Sequence, residues 1–403
     1  AGGKGSSDTM RHPGSSTNHR YSPPPSRLLA LAIAFAASTG GCRERAWAPI
    51  VRTDSIPRAA TTADLPAVDS HARPIRLGFV GDLMQYKEQT QDDFHESYAR
   101  IAPYLRSFDL TIGNLEFPVD STLPPRLDPG THRFNGSTRH LDAIADAGFD
   151  VLQTANNHCF DRGVIGMMRT LEAVESRGMR AVGTARSRDA LWAGPLLMRV
   201  NELTIAFRAY TQVLNVWADS LGRRIEPPPD LPVFVVPFYG WRGQNRERGV
   251  ALFQDHVAEA RRAGADFVVA LVHWGNDYYA RPTAEQRKAG HDLIDAGFDL
   301  VVGTHSHVLN GPEVYRGKLI AYSMGNFLAH GPNLESRTGA VLEAEVVPGS
   351  PGQPAVLLSF GYLPVFVRFP QDIVVPLDST AGPEEARAWT NARRVLGSSI
   401  LRH

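Results

Sequence analysis

The feature that most constrains the fold is a pattern that recurs along the chain. A helix-like segment ends at a glycine, a short apolar run follows, and a polar cluster comes next. The three clusters are Asn156-Asn157-His158, His273-Trp274-Gly275 and His305-Ser306-His307. Glycine readily adopts the left-handed conformation that ends a helix, and short β-branched runs are typical of strands buried on both faces. The pattern therefore predicts an α/β fold in which each cluster follows a strand.

Three further apolar runs without the same helix signal also lead to polar residues. Residues 75–80 lead to Asp82, residues 109–112 lead to Asn114 and Glu116, and residues 319–322 lead to Asn326. In α/β folds, the loops at the carboxyl ends of the strands converge and bind ligands. We therefore expect the polar residues after successive strands to lie at one rim of the fold.

The composition agrees with a folded protein and disfavours one class of partner. The chain has 403 residues, of which 43% are hydrophobic and 21% are charged, so it can bury the core of one large domain or two smaller ones. Lys plus Arg and Asp plus Glu both number 42, so the formal net charge is zero. Nucleic-acid binders usually carry a basic excess, and no nucleic-acid partner is expected.

The N-terminal part has the layout of an export signal. Residues 1–42 predict a disordered extension followed by a signal peptide, with basic residues before the apolar run Leu28–Ala37 and small residues before Cys42. Cys42 either carries a lipid anchor or follows a plain cleavage site. Residues 43–74 predict a linker. The protein is thus expected to be exported and held at the membrane only through its N-terminal anchor.

The residue types at the predicted rim are metal ligands. Carboxylate, carboxamide and imidazole groups bind borderline divalent ions such as those of Mn, Fe and Zn. A bridging carboxylate can hold two such ions, and a nearby histidine outside the coordination sphere can protonate a leaving oxygen. We therefore predict one or two divalent transition-metal ions. His305 and His307 can face the same way only if the chain turns, and Gly303 is expected to allow that turn.

The motifs, taken in order, resemble those of a known family, the CapA family. They are Gly81-Asp82, Asn114-Leu115-Glu116, Asn156-Asn157-His158, His273-Trp274-Gly275, Gly303-x-His305-x-His307 and Tyr322-Ser323-Met324-Gly325-Asn326-Phe327. This family is associated with poly-γ-glutamate capsule synthesis and is related to calcineurin-like metallophosphoesterases. The resemblance implies a four-layer α/β sandwich of two mixed β-sheets flanked by helices. The domain would span residues 75–370, with a C-terminal strand and helix, residues 371–403, packed on it.

The resemblance also implies a role for each candidate residue. His158 would be the general acid. The metal ligands would be Asp82 and His307 at the first ion, Asn157, His273 and His305 at the second, and Glu116 at the position of the bridging aspartate of phosphoesterases. Five more residues would contact the substrate or support the ligands: Asn114, Asn156, Asp161, Asp277 and Asn326. For Asp161, a cap at the start of the next helix is an equal alternative.

Two departures from the family pattern leave the function open. Met84 stands where phosphoesterases carry a ligating histidine, and Glu116 is longer than aspartate. The preferred interpretation is an exported CapA-like protein that acts on an anionic polymer or a small phosphate-containing substrate, in a complex with a membrane-bound polymer synthase. The alternatives are a general exported metallophosphoesterase and a non-catalytic polymer-binding protein with a degenerate metal site.

Overall fold

The computed structural model describes residues 73–401, apart from 87, 88, 90–92, 129–132, 218–229, 239, 351 and 379–381. The predicted signal peptide, Cys42 and all but the last two residues of the predicted linker lie outside the described part of the chain. None of the helices in the described part is both long and apolar enough to span a membrane.

The described residues form strands and helices that alternate over most of the chain. The strands are β1 (Ile75–Leu83), β2 (Leu110–Leu115), β3 (Arg126–Asp128), β4 (Arg133–Asn135), β5 (Val151–Gln153), β6 (Arg180–Val182), β7 (Leu196–Val200), β8 (Leu203–Thr211), β9 (Phe267–His273), β10 (Leu300–Thr304), β11 (Leu309–Asn310), β12 (Glu313–Tyr315), β13 (Lys318–Ala321), β14 (Ser323–Met324), β15 (Asn326–Leu328), β16 (Thr338–Val347), β17 (Val356–Arg368) and β18 (Ile373–Pro376). The helices are α1 (His95–Tyr98), α2 (Ala102–Leu105), α3 (Thr138–Ala147), α4 (Gly163–Glu175), α5 (Arg188–Trp192), α6 (Gly243–Arg262), α7 (Ala284–Ala296) and α8 (Pro383–Leu396).

Two mixed sheets contain most of the strands. The larger sheet has the order β18-β17-β16-β1-β2-β5-β6, with β15 also paired to β1, and the smaller has the order β12-β13-β10-β9-β8-β7. Strands β1, β2, β5 and β6 run parallel, as do β8, β9, β10 and β13. Each sheet therefore has a block of parallel strands whose carboxyl ends lie at one edge.

Hydrophobic side chains divide the molecule into four layers. Phe79 of β1 and Phe207 of β8 belong to one buried cluster between the two sheets. Tyr98 and Ile144, from α1 and α3, pack with the outer face of the larger sheet. Phe253 of α6 packs on the outer face of the smaller sheet. Full burial of each such side chain contributes about 2 kcal/mol. The predicted four-layer sandwich of two mixed sheets flanked by helices is confirmed.

Glycines end the helices that precede the ligand-bearing strands, as the sequence predicts. Gly148 after α3, Gly264 after α6 and Gly297 after α7 all have positive φ, at 101°, 85° and 112°. Each turn leads directly into β5, β9 or β10, whose residues are buried from both sides. The C-terminal segment adds β18 as an edge strand of the larger sheet.

Candidate metal centre

The polar residues at the strand ends of the two sheets meet in one buried cluster. Asp82 lies in β1, where it pairs with Asn114 of β2 and Asn326 of β15. His273 ends β9, beside Thr304 at the end of β10. Because both sheets turn the same edge toward this point, predicted ligands that are far apart in sequence are only a few ångströms apart.

Asn114 holds the two central carboxylates in place. Its Nδ2 donates to Asp82 Oδ1 at 2.7 Å and to Glu116 Oε2 at 3.3 Å. Its Oδ1 accepts from Asn156 Nδ2 at 3.2 Å, and Asn156 also donates to the Leu115 carbonyl at 2.8 Å. Asn114 and Asn156 therefore lie behind the carboxylates, in position to support them.

His273 and Asn157 face the same carboxylate from the other side. His273 Nδ1 lies 3.0 Å from Thr304 Oγ1, so its Nε2 is the nitrogen directed at the cluster. That Nε2 lies 2.9 Å from Asn157 Oδ1 and 3.4 Å from Glu116 Oε1. An imidazole nitrogen, an amide oxygen and a carboxylate oxygen thus converge on one point.

The turn between His305 and His307 differs from the expectation. Gly303 lies within β10 and is not part of a turn, whereas His305 and His307 themselves have positive φ values of 97° and 57°. Both rings consequently face the cluster. The His305 backbone N–H points at Asp82 Oδ2 at 3.3 Å, and His307 Nδ1 lies 2.9 Å from Asn326 Oδ1.

The pKa values of the two carboxylates are shifted in opposite directions. Burial raises the pKa of Glu116 well above its usual value, and the Asp82 carboxylate adds to this effect. Burial acts in the same direction on Asp82, but the hydrogen bond and charge of His307, together with the hydrogen bond from Asn114, outweigh it and lower that pKa. Burial and the rings of His305 and His307 lower the pKa of His273. Asp82 is thus balanced by His307, while Glu116 is the group that gains most from a cation.

The donor set fits divalent transition metals. Glu116 Oε1 and His305 Nδ1 are buried and have no hydrogen-bond partner among the described residues. Two groups of three residues each bring their possible ligand atoms within 4.8 Å of one another. One group is Asp82, Glu116 and His273, and the other is Glu116, His305 and His307. Glu116 is common to both groups, as a bridging ligand would be. The division of the ligands between two ions stays a prediction.

His158 lies beside this cluster and is oriented by a carboxylate. Its Nδ1 is 2.7 Å from Asp161 Oδ2, which also accepts from the Phe134 N–H at 2.8 Å. The Phe134 ring packs edge-on against the imidazole at a centroid distance of 4.5 Å. Asp161 does not cap α4, whose N-cap is Arg162 and lacks a side-chain bond. Because Nδ1 is held by this carboxylate, Nε2 is the other ring nitrogen of His158, the one that Asp161 does not contact.

The other two predicted residues lie on opposite sides of the histidine turn. Asn326 is buried, donating to the Ser336 carbonyl at 2.7 Å while its Oδ1 faces His307. The Asp277 side chain is 58% exposed, with Oδ1 3.4 Å from His305 Nε2. Asn326 thus supports a ligand from inside, and Asp277 lies at the solvent side.

Three residues near the cluster were not predicted from the sequence. Asn215 Nδ2 lies 3.4 Å from His158 Nε2, and the Tyr278 ring lies 5.8 Å from the His307 ring. The Tyr86 hydroxyl donates to Met84 Sδ at 3.3 Å. Tyr86 and Tyr278 lie outside helices and strands, and Asn215 begins a 3₁₀ helix of only three residues, so no periodic pattern marks them. Met84, at the position of the missing histidine, packs in the outer hydrophobic cluster of the larger sheet.

Comparison with known proteins identifies the family to which the chain belongs. The model of a family described as bacterial capsule synthesis protein PGA_cap matches residues 76–330, which include every predicted ligand. The chain belongs to the PGA_cap family. The predicted membership in the CapA family is thereby confirmed.

Two relatives from bacilli each match about two thirds of the chain. The PGA biosynthesis protein CapA of Bacillus subtilis is 30% identical over 274 residues, covering 67% of this chain and 67% of that protein. The capsule biosynthesis protein CapA of Bacillus anthracis is 28% identical over 276 residues, covering 66% and 63%. The match thus spans about two thirds of each relative's length.

A solved structure also resembles this PGA_cap protein weakly. The sulfate thiohydrolase SoxB of Thermus thermophilus aligns with a TM-score of 0.36 and 13% identity, covering 71% of this chain and 42% of that one.

Proposed function

We propose that the cluster holds one or two divalent ions of manganese, iron or zinc, and that the protein uses them in the synthesis of an anionic capsule-type polymer. The observation that carries the proposal is the pair of unpartnered buried atoms, Glu116 Oε1 and His305 Nδ1. Leaving such polar atoms unpaired in the interior is costly, and a metal ion is the partner that suits a carboxylate and an imidazole together. The names of the two bacillus relatives, which refer to PGA biosynthesis and capsule biosynthesis, support the proposed role in polymer synthesis.

The proposed chemistry is hydrolysis or transfer at an anionic group such as a phosphate ester. Bound metal ions supply a clamp for the anionic group and a water of lowered pKa. Asn114 keeps Asp82 and Glu116 oriented. His158, held through Nδ1 by Asp161, has Nε2 available to give a proton to the leaving oxygen.

We also propose that the protein acts outside the cytoplasm. The proposal is supported by the signal-like layout of residues 1–42, with Cys42 as the site of a lipid anchor. An anchor of this kind would keep the centre near a membrane-bound polymer synthase, which is the proposed partner. Labelling cells with a lipid precursor would test the anchor, since Cys42→Ser must abolish the label.

Catalysis is tested by replacing the acid in the full-length, Mn²⁺-loaded protein. His158→Ala should lower kcat on an aryl phosphate about 10²–10⁴-fold and leave the bound metal unchanged, because His158 is not a proposed ligand. His95→Ala is the matched control, since His95 also pairs with an aspartate, Asp146, at 2.8 Å. Equal turnover in wild type and His158→Ala would refute the acid role.

Two alternatives give other results in the same assays. A general exported metallophosphoesterase would release phosphate from many simple esters and would not bind the polymer. A non-catalytic polymer-binding protein is suggested by Met84, which is directed into the hydrophobic core and supplies no imidazole. That alternative predicts no turnover on any ester and polymer binding that survives His158→Ala.

A further inference from the structure

The side chain of Tyr278 is exposed directly beside the buried cluster of predicted metal ligands. Tyr278 is 52% exposed, and its ring centroid lies 5.8 Å from that of His307, with 43° between the planes. A large aromatic side chain that is half in solvent at the edge of a buried polar site leaves a face free for a ligand. Its neighbour Tyr279 is 61% exposed and makes no ring contact among the described residues.

The backbone fixes this ring in place at some cost. Tyr278 has φ of 61°, in the left-handed region that bulky residues avoid. Its N–H donates to the Ser306 carbonyl at 2.7 Å, which ties it to the loop between His305 and His307. Residues kept in such conformations cluster at functional sites, where the surrounding contacts hold them. The ring is therefore positioned by the same loop that positions the histidines.

Two further aromatic rings lie near the proposed acid. The Tyr86 ring packs edge-on against Phe134 at 5.3 Å, and Phe134 packs against His158 at 4.5 Å. Aromatic rings therefore lie near both His307, in the case of Tyr278, and His158, in the case of Phe134 and Tyr86. Of the three, Tyr278 is the one that is strongly exposed.

We propose that Tyr278 forms a subsite for a neutral substrate group with a flat aromatic face, attached to the anionic group held at the metal centre. The inference rests on the proposed function, because the anionic group must first be held there. Aromatic faces attract one another in offset or edge-on packing. The exposed Asp277 carboxylate beside this ring disfavours a second negative charge at the same place. Tyr278 is therefore proposed as a determinant of specificity.

The test compares two non-hydrolysable anions, phenylphosphonate and methylphosphonate, by calorimetry on the full-length Mn²⁺-loaded protein. Wild type and Tyr278→Phe should bind phenylphosphonate about tenfold more tightly than methylphosphonate. The difference is that expected when the phenyl ring packs against the aromatic ring at position 278 and both lose exposed surface. Tyr278→Ala should bring the two affinities to within about twofold. Tyr279→Ala, the adjacent exposed tyrosine, should keep the tenfold difference.

The outcomes separate this inference from the function on which it rests. Equal binding of the two anions by wild type, or an unchanged preference in Tyr278→Ala, overturns the subsite and leaves the metal-held anion intact. If neither anion binds to the metal-loaded protein, the proposed function fails and the subsite fails with it. Methylphosphonate affinity that is equal in all variants shows that Tyr278→Ala is folded and has kept its metal.

Discussion

The Glu116 side chain shows how one residue can be unfavourable for folding and necessary for a ligand. It is fully buried, and Oε1 has no hydrogen-bond partner among the described residues. A buried carboxylate with incomplete compensation destabilises a protein by several kcal/mol. Its pKa is raised, first by burial and then by Asp82. In the metal-free protein, this group therefore destabilises the fold increasingly as the pH rises above the normal value for glutamate.

Glu116→Gln should have opposite effects on stability and on metal binding. In EDTA at pH 8, urea unfolding should show the variant about 1–3 kcal/mol more stable than wild type, because the uncompensated charge is removed. Its affinity for Mn²⁺ should fall by at least about tenfold. Glu313→Gln is the control, since Glu313 is ion-paired with His291 at 2.6 Å and this control should lose stability without losing metal. A loss of stability in EDTA for Glu116→Gln would show that the carboxylate is structural.

At the residue scale, the sequence reveals the predicted metal ligands but not the residues around them. Asp82, Glu116 and His273 could be predicted because each follows a recognisable apolar run. Tyr278 could not, since its position depends on a left-handed turn within an irregular loop. Asn215 is brought to His158 by a short 3₁₀ turn, Asn215–Trp217, for which the local sequence has no signal.

Strand β10 is the element that most directly positions two of the predicted ligands, His305 and His307. Its residue Gly303 packs so closely that an added Cβ would lie 2.1 Å from the Tyr322 carbonyl oxygen and 2.4 Å from Trp274 Nε1. The Trp274 indole donates to that same carbonyl at 3.0 Å. The glycine is therefore required for close approach of β10 to its neighbours, and not for the turn that the sequence led us to expect.

Gly303→Ala should consequently damage the fold and the site together. The methyl group must displace backbone, which costs about 2–3 kcal/mol in a packed core, and the shift moves His305. Urea unfolding and Mn²⁺ titration of the same samples would measure both effects. Gly382→Ala is the control, because no atom of the described residues lies within 4 Å of its added Cβ. Wild-type stability in Gly303→Ala would show that β10 can move freely.

Strand β1 extends beyond the apolar run from which it was predicted. β1 continues through Asp82 to Leu83, because it pairs there with β2 and β15. The apolar run alone ends at residue 80. Pairing with strands far along the chain, such as Asp82 with Asn326, is a non-local contact that no local pattern contains.

The whole molecule carries a buried neutral histidine in each outer layer. His140 of α3 is stacked on Phe94 at 4.1 Å, and His256 of α6 packs against Phe234 at 4.5 Å. Burial lowers the pKa of both residues to about 3. The unfolded chain takes up these protons near pH 6.5, whereas the folded chain does not, so stability is lost as the pH falls from about 6.5 toward 3.

His140→Gln should flatten this acid dependence. The amide cannot titrate and can still accept from the Tyr98 hydroxyl, which lies 2.8 Å from His140 Nε2. Between pH 6 and 5, the unfolding free energy of the variant should change by about 1 kcal/mol less than that of wild type. Urea unfolding at a series of pH values in EDTA would measure the slopes. Identical slopes would show that His140 titrates normally in the folded protein.

The α/β class could be predicted because repeated glycine-ended helices and buried strands indicate parallel strands with helices outside, whereas the four layers were implied by the resemblance to the CapA family. The order of strands could not. β16, β17 and β18 follow β15 in sequence, yet they complete the larger sheet by pairing beside β1. Such order is decided by which apolar faces fit together across the whole molecule.

The central claim is that the two sheets build a metal centre around Glu116. A crystal structure of the protein grown with Mn²⁺, measured at the manganese absorption edge, tests it most directly. We predict an anomalous peak between Glu116 Oε1 and the imidazoles of His273, His305 and His307, with Asp82 beside it. Absence of any peak there, with these side chains in unchanged positions and Mn²⁺ in excess, would contradict the account.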